Sequence, residues 1–305
     1  MAILNFGSLN IDCVCAVEHI VQPGQTIDST SFTRFPGGKG MNQSLALARA
    51  GGTVYHAGMI GSDGEFLRAL LLESGADCTW LKTVPGSSGT AFIQVDQKGQ
   101  NSIVLVGGAN RANTPEYCDQ VLSGFGDQDM LLLQNEINQL PYLVDRAYEK
   151  SIPIALNPSP MNEAVLACDL SKIFLFIMNE DEGCRITGET QPERILERMH
   201  TLYPQAQVVL TLGSQGSVYS GNGQRIHQKA YPVTAVDTTG AGDIFGGSAV
   251  WKLLQTGKQP GDLNEAELRE IVTFACTSAG LSTTCPGGIS SVPAYEDVLK
   301  RMEDV

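Results

Sequence analysis

The run Val236-Asp237-Thr238-Thr239-Gly240-Ala241-Gly242-Asp243-Ile244-Phe245-Gly246-Gly247 sets two acids around a string of very small residues. An apolar segment with helical spacing (Ile244, Phe245, Ala249, Val250, Leu253, Leu254) begins where the string ends, which reads as a loop feeding a helix. Gly240, Ala241 and Gly242 offer almost no side chain, so another molecule can approach their backbone. The first N–H groups of a helix have no internal acceptor, and with the positive end of the helix dipole they suit a phosphate or a transient oxyanion. Asp243 does not fit simple anion binding, because its carboxylate repels the ligand. It does fit the removal of a proton from a hydroxyl that attacks phosphorus. The structural alternative is an acid that only complements the dipole.

Other polar residues sit at similar junctions. In Asn10-Ile11-Asp12-Cys13-Val14 the amide and the carboxylate share one strand face, where they could hold neighbouring hydroxyls of a polyol or form a solvated strand edge. Pro36-Gly37-Gly38-Lys39-Gly40-Met41-Asn42-Gln43 is a second glycine loop feeding a helix, which Gly51-Gly52 ends. Its spacing is not that of a Walker A loop. Lys39 and Asn42 project near the helix start, as hydroxyl ligands or as an exposed turn.

Those side chains need a scaffold. Ala2 to Gly7, Val54 to Ile60, Met130 to Gln134, Ile152 to Leu156, Ile173 to Met178 and Val208 to Leu212 are short apolar runs suited to buried parallel strands. Helical segments lie over Glu65 to Ser74, Leu140 to Lys150 and Pro192 to Tyr203. The pattern predicts one α/β domain over residues 1–305, built on a doubly wound, mostly parallel sheet. Thr90 to Asp96 and Ser102 to Val106 form a hairpin around Gln97-Lys98-Gly99-Gln100. With strands near 11–17 and 30–35 they would make a small separate sheet, a candidate lid.

Ligands of such sheets sit beyond the carboxyl ends of the strands. There the sequence places Asn135-Glu136, Asn157-Pro158, Asn179-Glu180-Asp181-Glu182, Gly213-Ser214-Gln215-Gly216 and the stretch from Asp237 to Asp243. Asn179 and Glu182 could organise a hydrated Mg²⁺, or simply begin a helix with favourable charges. Thr211 to Gly216 reads as a strand and glycine turn that admits a nucleotide base and ribose.

Composition narrows the classes. The 305 residues carry a net charge of −13, which argues against a nucleic-acid partner. No basic leader and no membrane-length apolar run is seen, so a cytoplasmic protein without a membrane partner is expected. The eight cysteines form no Cys-x-x-Cys pair and the four histidines show no metal-ligand spacing.

Taken together, Gly7-Ser8-Leu9-Asn10-Ile11-Asp12, Gly37 to Gln43, Asn179 to Glu182 and Asp237 to Asp243 resemble, in order and spacing, the ribokinase-like (phosphofructokinase-B) carbohydrate kinases. The resemblance runs from residue 3 to about residue 299. It implies ATP-dependent phosphorylation of a sugar hydroxyl, with Asn10, Asp12, Gly38, Lys39, Asn42, Glu136 and Asp243 on the sugar. Asp243 would be the base and Gly240, Ala241 and Gly242 the anion hole. Asn179, Thr211, Gly213, Ser214, Gly216 and Gly242 would hold ATP, with Glu182 on Mg²⁺ through water. The family's activating K⁺ would sit by Asp237, Thr239, Ser282, Cys285, Gly287 and Ser291. A homodimer paired through the lid is also implied, since so small a sheet cannot bury both faces alone.

Among acceptors the sugar set favours D-ribose. A nucleoside kinase would need an aromatic platform, for which the lid offers mainly Phe32, Phe35 and Phe92, and a sugar-phosphate kinase would need a basic pocket, whereas the lid is poor in Arg. A dehydrogenase reading of Gly240-Ala241-Gly242 fails on its place in the chain. A non-catalytic sugar or nucleotide sensor would be expected to lose Asp243 or the anion loop, and both are present.

Overall fold

The computed structural model describes residues 1–258, 262–285 and 291–302. The strands are β1 (Ile3–Phe6), β2 (Asn10–Ala16), β3 (Ser31–Gly37), β4 (Val54–Ile60), β5 (Leu81–Thr83), β6 (Gly89–Val95), β7 (Asn101–Val106), β8 (Met130–Gln134), β9 (Ile154–Asn157), β10 (Leu175–Asn179), β11 (Gln207–Thr211), β12 (Ser217–Gly221) and β13 (Gln224–Gln228). The α-helices are α1 (Lys39–Arg49), α2 (Glu65–Glu73), α3 (Pro115–Leu122), α4 (Leu140–Glu149), α5 (Glu163–Leu166), α6 (Glu180–Thr187), α7 (Pro192–Leu202), α8 (Ala241–Gln255), α9 (Glu265–Ser282) and α10 (Tyr295–Met302).

Among the described residues nine strands form one sheet in the order β13-β12-β11-β10-β9-β8-β1-β4-β5. Pairing is parallel from β5 to β11, and β12 and β13 add an antiparallel edge. The strands bury both faces. Leu132, Ala155, Ile177 and Val209 face a core shared with α1, α8 and α9, while Leu131, Leu133, Leu156, Phe176 and Leu210 face a second core shared with α3, α4 and α7. This is the doubly wound arrangement that the apolar runs predict. The chain leaves β1 toward β4 on one side and fills β8 to β11 on the other, so the strand order reverses between β1 and β8. A crevice at that reversal is where ligands of such sheets bind.

The second sheet has the order β3-β2-β6-β7 and is mixed, because β2 runs parallel to β6. Its register aligns Asp12 with Phe35, Ala91 and Leu105 on one face, and Cys13 with Arg34, Phe92 and Val104 on the other. Phe32, Phe92, Ile103, Val104 and Leu105 are each about half exposed.

Two readings shift. Ile152 and Ile173 lie just ahead of β9 and β10, buried in the core but not in the hydrogen-bonded ladder, because apolarity marks burial and not pairing. The β12–β13 hairpin turns on Asn222 and Gly223, both at positive φ as such a turn requires. Its Asn-Gly signal lies in the sequence, masked by strands that alternate weakly.

Candidate active site

Glycines let the segments of the crevice meet. Asn10, the first residue of β2, lies opposite Gly37 in β3, and the chain then turns through Gly38 (φ 95°) into α1. A Cβ on Gly7 would come within 2.6 Å of the Cα of Gly40, so the end of β1 can lie against the start of α1 only without side chains.

Three side chains of α1 then converge on one carboxylate of α8. Asp243, in the first turn of α8, accepts from Asn42 Nδ2 on Oδ2 at 3.0 Å and from Gln43 Nε2 on Oδ1 at 3.2 Å. Lys39 Nζ stands 3.8 Å from its Oδ1. Beyond β8, Glu136 Oε2 accepts from Ser8 Oγ at 2.5 Å and from the Lys39 amide at 3.0 Å. Asn10 Oδ1 accepts from Asn110 Nδ2 at 2.7 Å, which leaves the Asn10 amide nitrogen for another partner. Asn10, Asp12, Gly38, Lys39, Asn42, Glu136 and Asp243 are thus brought together around one crevice.

The charges interact strongly. Asp243 above all, and then Glu136 and Glu182, hold the Lys39 ammonium above its usual range against the effect of burial. Burial, reinforced by Glu136 and Asp243, pushes the Asp12 carboxyl up to about 7. An acid so placed favours hydroxyl donors that would support its ionised form.

Next to this crevice lies a cavity of about 120 Å³ lined by Lys39, Asn157, Ser159, Asn179, Glu182, Thr211, Gly240, Gly242 and Asp243. It meets a larger one, about 580 Å³, at Thr211 and Gly242. Gly213, Ser214, Gly216, Tyr231, Val233, Phe245, Cys276, Ala279 and Thr283 wall the larger space, which is mostly apolar, as a nucleotide base requires. A Cβ on Gly216 would collide with the Gln228 carbonyl, so glycine is needed for the turn. Asn179 and Glu182 form a reciprocal capping box at the start of α6, with each backbone amide held by the other's side chain at 2.9 Å. The helix-start reading of this run therefore describes its contacts, and both residues also line the smaller cavity. Asn157 Oδ1 there is buried without a hydrogen bond inside the protein. An unsatisfied oxygen beside Glu182 fits a hydrated Mg²⁺.

At α8, Gly240 is in the left-handed conformation (φ 75°) ahead of the first helical residue. The Ala241 amide makes a long bond, 3.3 Å, to Thr238 O. The loop before α8 is tied to the end of α9, since the amides of Val236 and Asp237 both donate to Thr283 O, at 2.7 and 3.1 Å. Asp237 Oδ1 accepts from Thr239 N at 2.9 Å, a turn-capping contact. Ser282 gives its hydroxyl to Ala279 O, Cys285 is exposed and Ser291 is buried. Gly287 lies outside the described residues.

Sequence reasoning missed Asn110, Ser8 and the apolar nucleotide walls. Asn110 reaches Asn10 and the Leu9 amide across 100 and 101 residues, a separation that no local pattern reveals.

Similarity to known proteins agrees with this geometry. A Bacillus subtilis ribokinase is 35% identical, with 96% of each chain covered. A Haemophilus influenzae ribokinase is 32% identical, with 97% of each covered. The structure of Arabidopsis thaliana ribokinase complexed with ribose and ATP superposes with a TM-score of 0.83 at 28% identity, covering 99% of both chains. The family model for pfkB family carbohydrate kinases matches residues 2–295, and the chain belongs to that family of phosphotransferases, which act on an alcohol group.

Proposed function

We propose that this enzyme transfers the γ-phosphoryl group of ATP to the 5-hydroxyl of D-ribose. The observation that carries this is the convergence of Asn42, Gln43 and Lys39 on the buried Asp243 carboxylate, at the mouth of a cavity walled for a nucleotide. Asn10 and Asp12 would hold the sugar's neighbouring hydroxyls, with Glu136 and Lys39 fixing their orientation. Asp243 would take the proton of the attacking hydroxyl, while Lys39 keeps the site near charge balance. The helix-start amides of α8 would face the transferred group, where charge spreads over its equatorial oxygens. Mg²⁺, when bound near Glu182 and Asn157, would supply neutralisation of the phosphate oxygens. The second sheet, whose strand β2 carries Asn10 and Asp12, would act as a lid that excludes water as a competing acceptor.

An ADP-release assay over D-ribose, 2-deoxyribose, fructose and adenosine tests the reading. D-ribose should give the highest kcat/KM, with 2-deoxyribose weakened by the missing hydroxyl. Preference for adenosine would move the assignment to a nucleoside kinase.

We include K⁺ activation in the proposal. The amides of Val236 and Asp237 already bind the α8 loop to the end of α9 through Thr283, so a cation among carbonyls there would stiffen the anion loop. Activity in K⁺ should exceed that in a bulky organic cation at equal ionic strength by about tenfold, or ~1.4 kcal/mol of barrier. Equal rates would remove the cation site and leave Asp237 a turn-capping role.

Pairing of two lids belongs to the same reading, set in the cytoplasm. Half-exposed Phe92 and Val104 on one face of the small sheet, and Ile103 and Leu105 on the other, form the kind of apolar surface that a second copy covers. Light scattering at micromolar concentration should give the dimer mass, and Val104→Asp should halve it. A monomer in the parent protein would remove the pairing.

A further inference from the structure

We propose that Asn5, Gln134 and Gln43 form an orientation-locked chain of buried amides that holds Asp243 as a hydrogen-bond acceptor, which makes Gln43 and Gln134 positioning residues for the phosphoryl transfer. This rests on the reading of Asp243 as the base.

The direction of the chain is set at one end by an atom that can only accept. Asn5 Nδ2 donates to the Gly40 carbonyl at 2.7 Å and to Ser44 Oγ at 2.7 Å. That fixes the rotation of the Asn5 amide, so its Oδ1 must face the other way. There it accepts from Gln134 Nε2 at 3.0 Å. The same nitrogen donates to Gln43 Oε1 at 2.6 Å, and Gln43 then has only its Nε2 left for Asp243, 3.2 Å away. Asn5 and Gln43 are fully buried, Gln134 is 1% exposed and Asp243 6%, so water cannot substitute for a broken link. The amide oxygen and nitrogen have nearly the same shape. What keeps Gln43 from presenting its oxygen to the carboxylate is therefore the chain behind it.

Gln134 is retained at a cost that packing does not explain. Its Oε1 is buried without a hydrogen bond inside the protein, a penalty that an apolar residue of the same length would avoid. A Cβ on Gly7 would stand 2.5 Å from that oxygen and 3.2 Å from Asn5 Oδ1, so the backbone makes room for both amides. The far end carries no charge: Ser44 Oγ lies 2.8 Å from His56 Nδ1, and burial pushes that imidazole down to about 4. The donors thus run outward from Gln134 Nε2 in both directions, and the branch through Gln43 ends on the carboxylate, where Gln43 and Asn42 donate to opposite oxygens. Donors on both oxygens fix the plane from which a proton is taken.

The test compares Gln43→Met, Gln134→Met and the double variant in the full-length enzyme. In Gln134→Met the Gln43 amide is free to turn its oxygen toward Asp243. We expect kcat to fall about tenfold while KM for sugar and ATP stays within twofold or so. The double variant should be no slower than Gln43→Met, because residues of one chain act as a unit. Losses that multiply, or a loss that appears in KM and not in kcat, would overturn the proposal. Should Gln134→Met fail to fold, the split between kcat and KM in Gln43→Met decides it alone. Normal Gln variants beside an inactive Asp243→Asn would remove the chain and leave the base; an active Asp243→Asn would remove both.

Discussion

Asp243→Asn should lower kcat by roughly 10²–10⁴ while leaving the fold and the ATP KM nearly unchanged. The side chain keeps its shape, so Asn42 and Gln43 can still reach it, at least on the oxygen that remains. What it loses is the site for the proton of the attacking hydroxyl. It also removes a negative charge beside Lys39, whose ammonium stands 3.8 Å away, so the pocket gains positive charge and ATP affinity should rise slightly if it changes at all. The loss of rate separates the catalytic role from the dipole-complementing one: an acid that only caps α8 would cost stability of about 1 kcal/mol or less and little rate. Steady-state kinetics with a thermal melt read both. Turnover within a few-fold of the parent would end the base assignment.

The parts of the fold that the sequence announces are those in which one strand or helix carries its own pattern. β8 and β4 begin and end where the apolar runs Met130 to Gln134 and Val54 to Ile60 do, because a strand buried on both faces must be apolar throughout. The glycine loops ahead of α1 and α8 were legible because only very small residues allow such close approach, and the charged residues beside them stand out. The chain from Asn5 to Asp243 was not, although Asn5 and Gln134 are polar residues of otherwise apolar runs. Asn5 to Gln134 spans 129 residues and Gln43 to Asp243 spans 200, so their meeting depends on β1 and β8 pairing and on α8 packing over α1. The nucleotide walls are hidden for a related reason. Tyr231 and Val233 come from a loop, and Cys276, Ala279 and Thr283 from α9 and its end, with nothing local to mark them.

Gly37→Ala should damage sugar binding through Asp12, and the loss should appear in KM. A Cβ at this position would land on the Asp12 carboxylate, well inside contact distance. The ladder of β2 and β3 holds Gly37 opposite Asn10, so the strands cannot simply part. The carboxylate is the free end of a side chain, and it will swing away from the crevice. Loss of hydrogen bonds to a charged group costs about 1.5–3 kcal/mol, so the sugar KM should rise roughly 10- to 100-fold with kcat within a few-fold. The pH dependence carries the same signature. Asp12 is held at about 7 in the free enzyme, well above its ordinary 3.8, by burial first and then by Glu136 and Asp243. Sugar hydroxyls donate to the ionised form, so kcat/KM for the sugar should fall as pH drops below about 7 in the parent and stay flat in Gly37→Ala. Linkage gives the opposite trend for stability. The folded protein holds this proton between 3.8 and about 7 while the unfolded chain has released it, so the sugar-free enzyme should lose stability as pH rises through that window. Added sugar should restore more of it at pH 8 than at pH 6, which thermal melts can read. An unchanged sugar KM in Gly37→Ala would mean that Asp12 does not bear on the sugar.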